Sequence, residues 1–352
     1  CRTAMSLAEH GIRVLLLDRA EFPRWKPCAG GLTLKTRPYL PEPLFSEVQC
    51  SVYGACLTFG EEFSTRIRSQ NPLGWMVHRE SFDQTHLELA RARPSVEVVL
   101  GTTVRRVTEH DSHVALETDQ GELRAQVLVG ADGARSIVSR AVPGHDLRAM
   151  GFAYEGEARP GPLRAGEEAE ETLFDFRIFP RGYGWVFPKT GHESVGGFIS
   201  VQKQPGIRDV YEQFCSETPR LKGAETYRSK GHPTSLGGDR RRLNTRRILL
   251  AGEAGSLVDP LTGEGIYYAL RSGHLAAEAV AAFMREGTPL DRYGDQVRTE
   301  IQDDLRYARG LAGFIYSHPR RAFHLLLRNS LLCRWFVEVG AGRMNYKDLF
   351  RQ

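Results

Sequence analysis

Residues 250–266 constrain the fold more than any other part of the chain. They read Leu250-Ala251-Gly252-Glu253-Ala254-Gly255-Ser256-Leu257-Val258-Asp259-Pro260-Leu261-Thr262-Gly263-Glu264-Gly265-Ile266. The apolar run Ile248-Leu249-Leu250-Ala251-Gly252 enters this segment, and a long helical pattern over about 263–285 leaves it. Five of the fourteen residues from 252 to 265 are Gly or Pro. Such a strand–turn–helix brings backbone N–H groups and a helix N-terminus to a negatively charged ligand. A purely structural loop has no need of this composition.

The N-terminal residues carry a matching piece. Ala4, Leu7 and Ala8 recur at helical spacing and Gly11 stops the helix. The run Ile12 to Leu17 then predicts a buried parallel strand closed by Asp18. Helix, Gly, strand and terminal acid form the second half of a dinucleotide-binding βαβ unit, in which Asp18, with Arg19 beside it, meets ribose hydroxyls. The first strand and its G-x-G-x-x-G turn are absent from the sequence. A truncated start is the favoured explanation, and a chain without that turn is expected to bind a dinucleotide poorly. A third block, Gly130-Ala131-Asp132-Gly133-Ala134-Arg135-Ser136, follows a strand and is expected to precede a helix.

Between these blocks the pattern alternates. Residues 22–36 form a Gly/Pro/Cys-rich loop, 50–78 short strands, 82–93 a helix, 96–129 strands, and 150–235 strands with turns. The fold class is α/β: an interrupted dinucleotide-binding domain (1–35, 76–145 and 245–286), an inserted mostly β substrate domain (36–75 and 146–244), and a C-terminal helical region (287–352).

Composition excludes several classes. The 41% hydrophobic and 26% charged content is that of a globular chain, and no apolar run reaches the ~20 residues that span a bilayer. The six cysteines (1, 28, 50, 56, 215 and 333) show neither C-x-x-C nor His/Cys ligand spacing, so reduced thiols in a cytoplasm are expected, with no metal. The net charge of +4 makes no case for nucleic acid. It is uneven, however: residues 305–352 hold nine Lys/Arg against two Asp/Glu.

Four blocks resemble the geranylgeranyl reductase family, within the glutathione-reductase-type FAD fold. They are Phe22-Pro23-Arg24-Trp25-Lys26-Pro27-Cys28-Ala29-Gly30-Gly31-Leu32, residues 129–136, Gly182-Tyr183-Gly184-Trp185-Val186-Phe187-Pro188-Lys189, and residues 250–266. The ending Asn345-Tyr346-Lys347-Asp348-Leu349-Phe350 is also similar. Ala29 stands where the family usually has Gly, and Glu253 where the wider superfamily has Asp.

The resemblance implies FAD held by Asp18, Arg19, Arg79, Asp132, Gly252, Glu253, Gly263, Gly265 and Ile266. It implies hydride transfer from reduced FAD to an isoprenoid double bond, with NADPH or ferredoxin as external reductant. Period two puts Tyr183, Trp185 and Phe187 on one strand face, either an ordinary aromatic core or the lining of a prenyl slot with Gly30, Gly31 and Pro188. Tyr183, Trp185 and Cys28 are the catalytic candidates. Cys28 reads as a proton donor, a flavin-side contact or, beside Arg24 and Lys26, a thiolate; the plain alternative is a small buried residue. Arg79 also reads as a surface ion pair. Arg240-Arg241-Arg242 and Arg246-Arg247 read as a solvated loop or a phosphate site.

The implied substrate is a prenyl diphosphate, prenylated lipid or pigment. Two other functions stay open: a flavin monooxygenase or halogenase, and a non-catalytic lipid-binding protein that has lost its flavin site. Ser256 stands where monooxygenases often carry His, and halogenases show W-x-W-x-I-P in place of the Tyr183–Pro188 block, so both comparisons lower the former. In the tail, Phe323, Leu327 and Leu331 recur every four residues, flanked by Arg320, Arg321, Arg328 and Arg334. That pattern predicts either packing on the substrate domain or peripheral attachment to an anionic membrane surface.

Overall fold

A computed structural model describes residues 1–145, 150–159, 170–200 and 206–350. The helix Arg2–Glu9 buries Ala4, Met5 and Leu7. The chain turns at Gly11, in the left-handed region with φ 74°, into the strand Val14–Leu17, which pairs in parallel with Val96–Val99. A second parallel pair joins Leu128–Gly130 to Ile248–Leu250. Among the described residues no strand connects the two pairs.

The two pairs differ in burial. Ile248, Leu249 and Leu250 are fully buried, whereas Leu15 is 44% exposed. Both runs were expected to be buried. Val14 and Leu16 pack with Ala4, Met5 and Ala90, but among the described residues the alternating face that carries Leu15 has no such layer. The 130–136 block also departs from expectation. It leads to a single 3₁₀ turn, Val138–Ala141, and not to an α-helix. The Asp132 carboxylate accepts the Ser136 hydroxyl at 2.6 Å and the N–H groups of Ile137 and Val138, which fixes a tight cap, and Pro143 follows.

The second layer is a seven-stranded sheet in the order Glu225–Ser235, Met150–Arg159, Glu193–Ile199, Gly182–Pro188, Glu171–Asp175, Gly54–Phe59, Phe63–Arg68. Gly54–Phe59 lies parallel to Glu171–Asp175, so segments on either side of residues 76–145 share one sheet. The helix Ile207–Glu217 covers one face, where Tyr211 and Phe214 pack on Val186 and Val195. A Cβ on Gly184 would come within 2.6 Å of the Phe214 ring; the absent side chain lets the helix seat. The opposite face presents Tyr183, Trp185 and Phe198 to the main core.

The helix Ile266–Glu286 runs 21 residues from its cap at Gly265. After it come Asp291–Val297, Asp303–Ser317, Pro319–Arg328 and Ser330–Gly340, and a final turn, Tyr346–Phe350. Among the described residues no helix is long and apolar enough to cross a membrane. The tail packs inward at Phe323, 3% exposed, whose ring meets Phe59 and Phe176 at 6.1 and 5.2 Å. Leu331 is 49% exposed, and the side chain of Leu327 lies outside the described residues. The expected stripe is therefore split between core and surface.

Candidate active site

The turn after Leu250 is built for close approach. Gly252 and Gly263 take positive φ, 57° and 69°, and a Cβ at Gly252 would press on Ala269 at 3.0 Å. Asp259 is 1% exposed and holds the turn from inside. Its Oδ1 accepts the N–H groups of Leu261 and Thr262 at 2.7 and 3.0 Å. Glu253 is fixed by Ser235 N–H, 3.3 Å from Oε1, and by His232 Nε2, 3.6 Å from Oε2. The first N–H groups of the helix Ile266–Glu286 have no intrahelical acceptor, and Gly265 and Ile266 stand at the wall of a cavity of about 570 Å³.

That cavity gathers most of the residues expected from the sequence. Asp18, Cys28, Gly30, Gly31, Arg79, Tyr183, Trp185, Phe187, Gly252, Glu253, Gly263, Gly265 and Ile266 all line it. Three expected site residues do not: Arg19 is exposed, Asp132 spends its carboxylate on its own turn, and Pro188 lies off the wall. The arginine cluster before Ile248 is engaged elsewhere. Arg240 pairs with Asp303, Arg241 with Asp239, and Arg246 with Asp111. Arg242 and Arg247 donate to the carbonyls of Asn244 and Gln126.

Arg79 begins the helix Arg79–Arg91 and forms a two-pronged pair with Asp83, at 2.9 and 2.8 Å. Burial opposes the guanidinium charge, but Asp83 outweighs it and holds the pKa above the ordinary value. The ion pair is thus internal, at the cavity wall, and close enough to the Cys28 thiol for the two to interact. The loop of Cys28 is pinned by Lys189, whose Nζ donates to the carbonyls of Ala29 and Val77, both at 2.6 Å. Gly30 has φ 66°, and a Cβ there would lie 2.2 Å from Val77 O; only glycine fits.

The aromatic face is continuous. Tyr183 packs against Phe174, Phe198 and Trp185 with centroids 5.6, 5.8 and 6.1 Å apart. Its hydroxyl donates to Thr262 O, which ties this strand to the glycine turn. Burial raises the Tyr183 pKa, so the phenol stays protonated. Trp185 Nε1 donates to Ser194 Oγ at 3.1 Å, and Ser194 Oγ donates to Glu155 Oε1 at 2.8 Å.

Sequence reasoning missed Glu155, Lys189, Ser194 and Asp259. Lys189 closes a block already singled out. Glu155 and Glu157 stand two apart in the strand Met150–Arg159, a spacing that puts two acids on one sheet face. The fold also stacks His78 on His192 with centroids 4.4 Å apart and brings Glu157 to them within 4.8 Å, a grouping that no spacing in the sequence indicates.

No family model matches the chain. Among curated proteins, the geranylgeranyl diphosphate reductase of Rhodobacter capsulatus is 32% identical over 328 residues, 90% of this chain and 77% of that protein. The chain belongs to the geranylgeranyl reductase family. It is therefore an oxidoreductase, built on the fold of FAD-dependent oxidoreductases. Solved structures agree on the fold. A geranylgeranyl bacteriochlorophyll reductase-like protein from Thermoplasma acidophilum superposes with a TM-score of 0.78 at 20% identity, covering 90% of this chain and 84% of that one. The flavin-dependent brominase Bmp2 superposes almost as well, at 0.77 and 19%, covering 97% and 90%. Shape alone does not separate reductase from halogenase; the similarity in sequence is to proteins named reductases.

Proposed function

We propose that this chain reduces isoprenoid carbon–carbon double bonds, taking hydride from reduced FAD and a proton from the protein. The observation that carries the reading is the meeting, in one cavity, of the glycine turn with the aromatic face of Tyr183, Trp185 and Phe187. The wall fits FAD on two counts. The turns at Gly133, Gly252 and Gly263 all have positive φ, a backbone that glycine favours and that lets the chain approach a ligand closely. Arg2 Nε, His86 Nε2 and Thr234 Oγ1 are buried at the wall with no hydrogen-bond partner among the described residues, the condition of donors and acceptors that await a polar ligand. Asp18, Glu253 and the start of the helix Ile266–Glu286 would hold the cofactor, with Arg79 behind them. Bound and reduced, FAD supplies the hydride.

The remaining chemistry belongs to the protein. An isolated trisubstituted alkene is not polarised for hydride attack, so protonation accompanies or precedes it and leaves cationic character on carbon. The faces of Trp185, Tyr183 and Phe187 stabilise that charge by about 0.5–2 kcal/mol each and shed water from a prenyl chain. Cys28, on a loop locked by Lys189 and Gly30, lines the same cavity. The test is product analysis. Dithionite-reduced, FAD-loaded protein incubated with geranylgeranyl diphosphate yields products heavier by one H₂ per reduced bond; a hydroxylated or halogenated product would refute the reading.

We further propose that the tail docks reversibly on an anionic membrane. Leu325 and Leu331 are exposed beside the exposed Arg321, Arg328 and Arg334. Apolar side chains ringed by arginine complement a lipid surface of negative charge.

A further inference from the structure

Glu155 is 5% exposed, lines the cavity, and has one oxygen unused. Its Oε2 is buried with no hydrogen-bond partner among the described residues. Its Oε1 is committed, and the commitment has a direction. An indole N–H can only donate. Ser194 Oγ therefore accepts from Trp185 and spends its single hydrogen on Glu155 Oε1, at 3.1 and 2.8 Å. With Oε1 an acceptor, a proton carried by this carboxyl resides on Oε2, the oxygen left without a partner among the described residues of this cavity-lining side chain.

We propose that Glu155 is the acid that protonates the substrate double bond. The assignment rests on the reductase reading above. In the step, the O–H bond at Oε2 breaks as a C–H bond forms at one alkene carbon. The π electrons make that bond, and the other carbon takes a hydride, which bound, reduced FAD would supply. One proton and one hydride enter, two electrons and two protons in all, and Glu155 is left as a carboxylate that solvent reloads.

The surroundings suit a proton that is held and then released. Burial pushes the Glu155 carboxyl up to about 8, so it is loaded at neutral pH. The ammonium of Lys189 acts in the opposite sense and stands ready to stabilise the carboxylate formed. Lys189 itself is lowered to about 8 by burial, which matches donor and neighbour. The other groups that act on Glu155 are Glu157 on its own strand, which favours the protonated form, and Arg79, which opposes it; Tyr211 approaches from the helix Ile207–Glu217. Tyr183 is a weaker candidate, because its hydroxyl hydrogen is committed to Thr262 O.

The experiment compares wild type with Glu155→Gln and Glu155→Asp. Isotope-edited infrared spectra of the protein without substrate should show a protonated glutamic carboxyl at neutral pH that titrates near pH 8 and is missing from Glu155→Gln. With flavin reduced by dithionite and geranylgeranyl diphosphate as probe, Glu155→Gln should reoxidise about 100-fold or more slowly. Flavin content and probe Kd should stay unchanged, and Glu155→Asp should recover part of the rate. No protonated carboxyl at neutral pH, or a Glu155→Gln rate within about tenfold of wild type, overturns the assignment. A wild type that binds the probe and forms no hydrogenated product overturns the reductase reading instead, and the infrared band then stands apart from that failure.

Discussion

Tyr346 donates its hydroxyl to Asp259 Oδ2 at 2.7 Å, with both side chains buried. The end of the tail is thereby joined to the carboxylate that shapes the glycine turn from within. Tyr346→Phe leaves that carboxylate short of a donor in a dry site. The expected loss is about 1–3 kcal/mol in denaturant unfolding, together with weaker flavin retention, read from absorbance after gel filtration.

Glu155 gives stability a pH dependence of known sign. Its carboxyl keeps its proton in the folded state to about pH 8, whereas the ordinary value is 4.5. Between those limits the folded protein binds more protons than the unfolded one, so the contribution is full below 4.5 and is lost as pH rises towards 8. Lys189 runs the other way: between about 8 and 10.5 the unfolded state binds more protons, and stability is regained with rising pH. The stability of wild type relative to Glu155→Gln should therefore fall by a few kcal/mol from mildly acid pH to pH 8, then level. Chemical unfolding of both proteins across that range checks it.

Trp185 has two parts that can be removed separately. Trp185→Phe keeps a ring but deletes the Nε1–H that orients Ser194. It should shift the alkaline limb of turnover while leaving flavin content intact. Trp185→Ala also removes the aromatic face, and turnover of a prenyl substrate should fall further, by roughly tenfold or more for the ~1–2 kcal/mol of cation stabilisation lost. Single-turnover rates over a pH series distinguish the two.

Glu253→Ala removes a carboxylate held by Ser235 N–H at the cavity wall. Loss of one hydrogen bond to a charged group should lower FAD affinity by about 1.5–3 kcal/mol, as measured by fluorescence titration. An unchanged Kd would remove Glu253 from the cofactor site.

Membrane docking through the tail should be electrostatic. Liposomes containing anionic lipid should pellet the protein at low salt and release it at high salt, with about 1 kcal/mol lost per arginine replaced near the surface. Equal pelleting with neutral vesicles would refute it.

Much of this architecture is legible in the sequence where local rules suffice. The glycines at 252, 263 and 265, the apolar run at 248–250 and the alternation of Tyr183, Trp185 and Phe187 each report a backbone requirement or a face. Residues that act through long-range pairing leave no such mark. Glu155 and Ser194 meet across neighbouring strands, Lys189 reaches back to Ala29 and Val77, and Asp259 finds Tyr346 from 87 positions away. Asp132 shows the converse case. Its position in a glycine block suggested a ligand contact, but a short acid followed by Ser136 and two free N–H groups caps its own turn instead. Leu15 fails for a related reason, since an apolar run tells which residues could be buried and not which face finds a cover.

Phe336, Val337 and Leu349, together with Tyr346, place the last helix and turn on the cavity wall. The same enclosure thus has two authorships: the sheet supplies the aromatic face and Glu155, and the tail closes another part of the wall. On the reductase reading proposed above, residues at 336, 337 and 349 would act as a ruler whose graduations can be changed without replacing Glu155, Trp185 or the glycine turn. Within such a layout, tolerance for longer or shorter isoprenoids can drift independently of the proton and hydride chemistry, and enlarging Val337 is the direct way to shorten the measure.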